Sequence, residues 1–434
     1  MYDEGGCTHR MKEDIQDTAL HLRHVSPVMK KKIAVVTMGV KLGDEIKGYT
    51  RFRKIASMLV DAGFEVDLIT SSFQHWEKAQ RDTTRACYTE SPYHVVFIDE
   101  PGYKRNLDIR RIRSHHIAAR NMSEWFAAHR RDYALIYTEI PPNDVAYACA
   151  CAAQESQIPF VVDINDLWPE AMRMAFDVPI LSSLMFYPFT RDAHRVYQML
   201  SAAVGTSDEY AARPAQDRSE PYPHETVYVG NDLSVFDAGI REHSDEVNKP
   251  AGEIWATYTG TLGASYDIET LVRASAQVAR ICPNFRVKIL GDGPDRERLQ
   301  TVTDQIGAPV DFLGYVEYGC MAAWLSKSDI VVNSLVKGAP QSIVTKIGDY
   351  LASGNPVVNT GSSQEFRSKV VHDGFGVNVE AGDSRALART LERLARNSSL
   401  RKIMGAKARS IAEKEFDQSH AYLKIVHLIQ TLIA

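Results

Sequence analysis

The sequence predicts an α/β protein built from two doubly wound domains. Three observations carry that prediction. Apolar runs rich in β-branched residues alternate with longer segments of helical period from about residue 32 to the end. A polar, Pro-containing and acidic stretch from 211 to 250, interrupted only by the short apolar ETVYVG, breaks the rhythm. The alternation then restarts, which points to two parallel sheets of strand-helix-strand units. At 434 residues the chain exceeds one ordinary core, and roughly 100 to 200 residues per domain gives two or three domains.

In the first half, strands are expected at KIAVVTM (32 to 38), FEVDLIT (64 to 70), HVVFID (94 to 99), YALIYTE (133 to 139), PFVVDIN (159 to 165) and, more weakly, SAAVGT (201 to 206). In the second half they are expected at IWATYTG (254 to 260), FRVKILG (285 to 291), VDFLGY (310 to 315), DIVVNS (329 to 334), PVVNTG (356 to 361) and GVNV (376 to 379). Helices fill the gaps and close the chain over 383 to 396 and 398 to 432, with a break near Phe416. The expected division is a disordered tail over 1–28, an N-terminal Rossmann-like domain over 29–230 and a linker over 231–250. A C-terminal Rossmann-like domain over 251–415 and a final helix over 416–434, able to cross back to the first domain, complete it. In such sheets ligands bind beyond the carboxyl ends of the strands, so the cleft between the two domains is the expected site.

Composition narrows the function classes. With 44% hydrophobic and 24% charged residues and no run of ~18 apolar residues, no membrane span is expected. The first 28 residues lack the apolar core of a signal peptide, which argues for a cytoplasmic protein. Six cysteines (Cys7, Cys87, Cys149, Cys151, Cys282, Cys320) form no CxxC pair and fit reduced structural thiols better than a disulfide frame or zinc site. The net charge of −5 hides an asymmetry: Lys30 to Arg131 carries 19 Lys and Arg against 12 Asp and Glu. A basic first third suits anionic lipid headgroups or a phosphorylated substrate, and equally an ordinary solvated surface.

The stretch SIVTKIGDYLASGNPVVNTG (342 to 361) carries the sharpest chemical signal. Ser342 is an N-cap candidate and Gly354 a C-terminal stop, so a short helix is expected between them. Its N-terminus and Lys346 on the next turn suit a phosphate or diphosphate. Asp349, on the same face, can accept from two hydroxyls at once, as a ribose diol presents. Gln341 precedes Asp349 by eight positions, about 12 Å if the rise is helical, the span from a sugar across a diphosphate to a ribose. The same pattern also suits an amphipathic core helix with an exposed ion pair.

These residues resemble glycosyltransferase family 4, the retaining sugar-nucleotide transferases of the GT-B fold, from about residue 30 to 430. The resemblance implies two Rossmann-like domains facing a central cleft. That family places two glutamates separated by seven intervening residues where this chain has Gln341 and Asp349. Asp349 keeps the ribose-holding chemistry, while Gln341 loses a charge beside the donor sugar. The wording TKIGDYLASG resembles a subgroup acting in bacterial capsule, exopolysaccharide and O-antigen assembly, in which the residue at Lys346 lies at the donor diphosphate.

YTGTLGASYDIETLVRA (258 to 274) resembles the start of the family's nucleotide domain, with Gly260 and Gly263 admitting the diphosphate; it is also an ordinary glycine turn. LGDGPDRERL (290 to 299) and FLGYV (312 to 316) resemble turns flanking the base, which implies contacts from Arg296, Gly314 and Val316. The loop holding Gly338, Gln341 and Ser342 completes the implied donor site. In the first domain, Gly48 corresponds to a glycine that lets the domain close on the donor. Arg51, Arg53 and Lys54 after it read equally as solvated charges. GYKRNLDIRRIRSHHIAARN (102 to 121) and DINDLWPEAM (163 to 172) resemble acceptor-side segments, bringing in Arg110, Arg111, Arg113, His115, His116, Asp163, Asn165 and Asp166. Trp168 reads as packing.

The resemblance implies retaining transfer from a nucleotide diphosphate sugar to a polyprenyl-diphosphate-linked saccharide, with Lys346 and Gln341 at the donor and Asp166 and His115 as acceptor-side candidates. It implies no cofactor or metal, no nucleic-acid partner, and peripheral contact with the inner face of the plasma membrane. Two other classes remain open: a sugar-nucleotide 2-epimerase of the same architecture, and a noncatalytic nucleotide-sugar-binding subunit.

Overall fold

The computed structural model describes residues 30–45, 48–105, 108–170, 181–339 and 343–434. Strand β1 (Lys32–Val36) is buried at four consecutive positions, which only a strand covered on both faces can satisfy. It is followed by α1 (Arg51–Asp61), β2 (Glu65–Ser71), β3 (His94–Ile98), α2 (Ile109–Ala128), β4 (Leu135–Ile140), α3 (Asn143–Ser156), β5 (Phe160–Ile164), α4 (Leu181–Met199), β6 (Ala202–Gly205) and β7 (His224–Thr226). These strands form a seven-stranded parallel sheet in the order β3-β2-β1-β4-β5-β6-β7. The order reverses between β1 and β4, so the carboxyl ends of those two strands face the first domain's switch point.

The second domain contains α5 (Leu233–His243), β8 (Ile254–Thr259), α6 (Ile268–Ala279), β9 (Phe285–Leu290), α7 (Arg296–Ile306), β10 (Val310–Gly314), α8 (Tyr318–Lys327), β11 (Ile330–Asn333) and α9 (Ile347–Ala352). It continues with β12 (Val357–Asn359), α10 (Gln364–His372), β13 (Gly376–Asn378), α11 (Ser384–Arg396) and α12 (Ser398–Ile411). Its six strands are parallel in the order β10-β9-β8-β11-β12-β13, with the reversal at β8 and β11.

The stretch expected as a connection is more ordered than its polarity suggested. Within ETVYVG, β7 adds an edge strand to the first sheet. The expected linker 231–250 contains α5, capped by the Asp232 carboxylate accepting from Ser234 N at 3.1 Å. Leu233 and Phe236 bury its apolar face among second-domain residues, including Val331 and Tyr350. The break near Phe416 is a π-helical turn, Ala412–Phe416. Beyond it, α13 (Leu423–Leu432) returns to the first domain, where Ile425 and Ile429 pack with Ile55 and Leu59 of α1.

Arg51 fastens these crossings together. It is 2% exposed, so the solvated-charge reading of this residue is corrected. Its guanidinium donates to Asp163 Oδ2 at 2.9 Å and Oδ1 at 3.2 Å, and to the carbonyls of Val227 at 3.0 Å and Tyr228 at 3.2 Å. It also stacks 4.9 Å from the Tyr422 ring centroid. A buried guanidinium persists because its planar fork finds several partners, here from β5, the outgoing chain and the start of the returning helix. Asp163, included with the acceptor-side segment by resemblance, is thereby committed to Arg51 and also accepts from the Tyr137 hydroxyl. Arg53 and Lys54 are half-buried, the latter paired with Asp232 at 3.1 Å.

Candidate functional site

Three loops at the carboxyl ends of β8, β9 and β10 are laced by backbone hydrogen bonds. Gly260 N donates to Leu290 O at 2.8 Å, Leu262 N to Asp292 O at 3.0 Å, and Gly291 N to Gly314 O at 2.6 Å. The lacing requires glycine at 291: its φ is +141°, and a Cβ there would lie 1.9 Å from the Gly260 carbonyl oxygen. Gly291→Ala should therefore destabilise the second domain by about 3 kcal/mol or more, checked by urea denaturation.

Lys346 lies in the slot these loops border. Its ammonium donates to the Tyr258 hydroxyl at 3.1 Å and sits 4.2 Å from the ring centroids of both Tyr258 and Tyr266. Gly260 forms the wall, since a Cβ there would come within 2.6 Å of Lys346 Nζ. Among the described residues no carboxylate pairs with this lysine, and burial pushes it down to about 7. An enclosed ammonium faced by rings and a hydroxyl is short of negative charge, and a diphosphate would supply it.

Asp349 stands one turn into α9. Its Oδ1 accepts from Asn231 Nδ2 at 2.9 Å and from the Tyr318 hydroxyl at 2.7 Å. Burial pushes its carboxyl up to about 6, against the pull of those two donors. Oδ2 takes no hydrogen bond from the described residues, leaving one carboxylate oxygen for a ligand hydroxyl.

The expected helix from Ser342 is shorter than predicted. It spans only Ile347–Ala352, with Lys346 at the N-cap position rather than inside a turn. The reason is the run Ile343-Val344-Thr345, three β-branched residues whose stiff side chains disfavour a helical start. Residues 343–346 are not helical, and Gln341 and Ser342 themselves lie outside the described residues. A six-residue helix adds little dipole, so the anion-attracting charge is that of Lys346 itself.

The other donor-side candidates spread around this slot. Arg296 opens α7, donates to Phe312 O at 3.3 Å, and lies 3.5 Å from Asp292, tying the β9 loop to β10. Gly314, with φ of +78°, makes room for that guanidinium, while Val316 is half-buried in the following loop. At Gly263 a Cβ would meet only ordinary contacts of 3.7 Å and beyond, so the protein's own packing does not demand glycine there. Gly338 N donates to Ser362 Oγ at 3.1 Å. Gly48 packs on the Lys41 backbone in the loop after β1.

A cavity of about 460 Å³ opens at the first domain's switch point and is closed on the other side by Tyr266, Ile343, Val344 and Thr345. Asp166 lines it, its carboxylate accepting from Leu167 N at 2.9 Å and Trp168 Nε1 at 3.2 Å, its carboxyl raised by burial. His115 also lines it, stacked on Trp168 with centroids 6.1 Å apart and edge-on to Tyr103 at 5.7 Å. Burial holds this imidazole well below its usual range, hence neutral at neutral pH. Arg111 lies over both rings, 4.6 Å from Trp168 and 5.5 Å from Tyr103, whereas Arg110, Arg113 and His116 face outward. Trp168 is thus part of the cavity wall rather than packing alone.

Several residues here escaped sequence reading. Tyr258, Tyr266, Asn231 and Tyr318 surround Lys346 and Asp349 but come from three segments, the two tyrosines 258 and 266 from one and the others from two more. Glu139 ends β4 at the cavity, accepts from Met38 N, and is pushed up to about 7 by burial. A carboxylate closing an otherwise apolar strand was its available signal.

Residues 254–397, which include this slot, match the model of the family described as Glycosyl transferases group 1. A phosphatidyl-myo-inositol mannosyltransferase of Mycobacterium leprae is 30% identical over 166 residues, 38% of this chain and 43% of that protein. The chain thus spans less than half of that curated relative's length. Among solved structures, the sucrose-phosphate synthase of Thermosynechococcus elongatus superposes with a TM-score of 0.69 at 18% identity, over 93% of this chain and 99% of that one. The Anabaena protein HepE, solved in complex with UDP, gives 0.68 at 16% identity, over 92% and 100%. The fold is GT-B. In GT-B terms, the Lys346 slot belongs to the C-terminal domain and the Trp168 cavity lies mainly on the N-terminal one.

Proposed function

We propose that this GT-B protein is a retaining glycosyltransferase of family 4. It would move a sugar from a nucleotide diphosphate sugar to a hydroxyl of a polyprenyl-diphosphate-linked glycan during bacterial cell-surface polysaccharide synthesis. The observation that carries the reading is the enclosed Lys346 ammonium, unpaired with any carboxylate among the described residues, one turn from an Asp349 oxygen left for a hydroxyl. The group 1 match over that same segment supports it.

In this reading the leaving diphosphate gathers negative charge as the glycosidic bond breaks. Lys346 stabilises it most where that charge is greatest, in a slot shielded from water. Asp349 Oδ2 holds the ribose. The departing phosphate oxygen takes the acceptor proton, so the neutral His115 and Asp166 serve to orient the acceptor hydroxyl. The chain's own cation supplies the charge compensation that this step requires.

The aromatic wall is the natural seat for an acceptor sugar ring, with Arg111 placed for its phosphate. Trp168→Ala should raise the acceptor KM about tenfold through loss of one stacking surface, and leave the donor Kd unchanged. The start of α2 exposes Ile109 at 81% beside the outward Arg110 and Arg113, and the start of α4 exposes Leu184 and Tyr187 at 76% and 60%. That pairing of apolar and basic groups supports peripheral contact with an anionic bilayer. No helix of the described residues is long and apolar enough to cross a membrane.

The test is incubation with UDP-, GDP- and dTDP-sugars, with and without a polyprenyl-diphosphate saccharide. Transfer to the acceptor with retained anomeric configuration supports the proposal. Interconversion of the sugar nucleotide without acceptor identifies an epimerase instead, and binding without turnover identifies a noncatalytic subunit.

A further inference from the structure

We propose that His243, Glu246 and Cys320 form a binding site for a divalent transition-metal ion of the zinc type, fastening α5 to α8 behind the donor slot. His243 ends α5, Glu246 ends the 3₁₀ turn that follows it, and Cys320 lies in the first turn of α8. Cys320 has no CxxC partner and read as a structural thiol; His243 and Glu246 lie 77 and 74 positions away in the chain.

Two glycines bring them together. A Cβ on Gly239 of α5 would approach Gly319 Cα to 2.6 Å, and one on Gly319 would approach His243 Cδ2 to 2.7 Å. The helices therefore touch backbone to backbone beside the three side chains.

The resulting geometry is that of a metal cradle. His243 Nδ1 lies 2.9 Å from Glu246 Oε1 and 3.5 Å from Cys320 Sγ, which lies 3.5 Å from Glu246 Oε2. A tetrahedral ion bound at about 2.0–2.1 Å to nitrogen and oxygen and about 2.3 Å to sulfur has ligand-to-ligand edges of roughly 3.3–3.6 Å. The His243–Cys320 and Cys320–Glu246 edges already match, the latter through Oε2, and one atom from each of the three residues lies within 4.8 Å of the others, so an exposed carboxylate has only to turn to bring a single oxygen to both partners. The donor set of thiolate, imidazole and carboxylate suits zinc rather than magnesium or calcium. Three ligands leave a fourth position for water.

Charge agrees with geometry. Glu242 and Glu317 add negative field around the cluster. A divalent cation would offset that charge and satisfy all three groups.

The position gives the ion a structural consequence. Asn231 immediately precedes the α5 cap, and Tyr318 opens α8; both donate to Asp349. An ion joining α5 to α8 would fix the spacing of the two groups that orient that carboxylate. This inference does not depend on the glycosyl-transfer reading.

The experiment is titration of the reduced full-length protein with Co²⁺ and Zn²⁺. The expected result is one Co²⁺ bound with a thiolate charge-transfer band in the near ultraviolet, bleached by Zn²⁺ and untouched by Mg²⁺. The band should vanish in Cys320→Ser, and Glu246→Gln should weaken binding about tenfold or more. Glu246 is 61% exposed at its side chain, so that second variant does not threaten the fold. Absence of the band in the wild type, or a band unchanged in Cys320→Ser, would overturn the proposal.

Discussion

Lys346→Ala is expected to lower kcat for sugar transfer by about 10²- to 10³-fold, roughly 2.7–4 kcal/mol of transition-state stabilisation. The size follows from where the charge sits. In a slot walled by Tyr258, Tyr266 and Gly260, few competing water dipoles weaken an ammonium's pull on the developing diphosphate charge. The donor is already anionic before reaction, so some ground-state affinity is lost too, but the larger loss falls on kcat. Arginine should not rescue the activity, because the bulkier guanidinium meets the Gly260 backbone where even Nζ leaves no room for a Cβ. Steady-state kinetics of wild type, Lys346→Ala and Lys346→Arg check this, with unchanged thermal midpoints showing that the fold is intact.

Arg51→Ala should produce the largest loss of stability, about 3–5 kcal/mol, because it strands the buried Asp163 carboxylate and frees two buried carbonyls. The effect reaches beyond one pair, since Arg51 joins α1 and β5 to the outgoing chain at Val227 and to the returning helix at Tyr422. Arg51→Lys should recover only part of it, as a point charge cannot make the bidentate contact. Urea denaturation measures both, and proteolysis should show earlier release of the C-terminal helix in Arg51→Ala.

The sheets were legible because their strands are buried on both faces and therefore read as unbroken apolar runs such as KIAVV and DIVVNS. The helix α5 was not: only Leu233, Phe236 and Gly239 of its eleven residues are buried, and the polar remainder resembled a connection. Arg51 illustrates a second limit. Its charge favours the surface in any local reading, and the four partners that hold it inside are 112 to 371 positions away in the chain. At the site, Lys346 and Asp349 were found because helix, glycine and strand surround them within twenty residues. The tyrosines and Asn231 that set their protonation converge only in the folded chain. α9 begins only at Ile347 because the three consecutive β-branched side chains before Lys346 disfavour an earlier helical turn.

The claim that Lys346 and Asp349 form the nucleotide-diphosphate slot is tested most directly by the pH dependence of nucleotide-sugar binding. The diphosphate diester keeps its charge throughout, so only the protein titrates. Burial has pushed Lys346 down to about 7, and binding an anion favours its charged form, so affinity should fall as pH rises through that value, approaching tenfold per unit. Burial has pushed Asp349 up to about 6, and a ribose diol favours its ionised form, so affinity should also fall as pH drops below that value. Calorimetric Kd values for UDP-, GDP- and dTDP-sugars from about pH 5 to about pH 9 should therefore trace a bell with its optimum between those limbs. Lys346→Ala should remove the alkaline limb and Asp349→Asn the acid one. A profile that is flat, or limbs that survive both substitutions, would contradict the assignment.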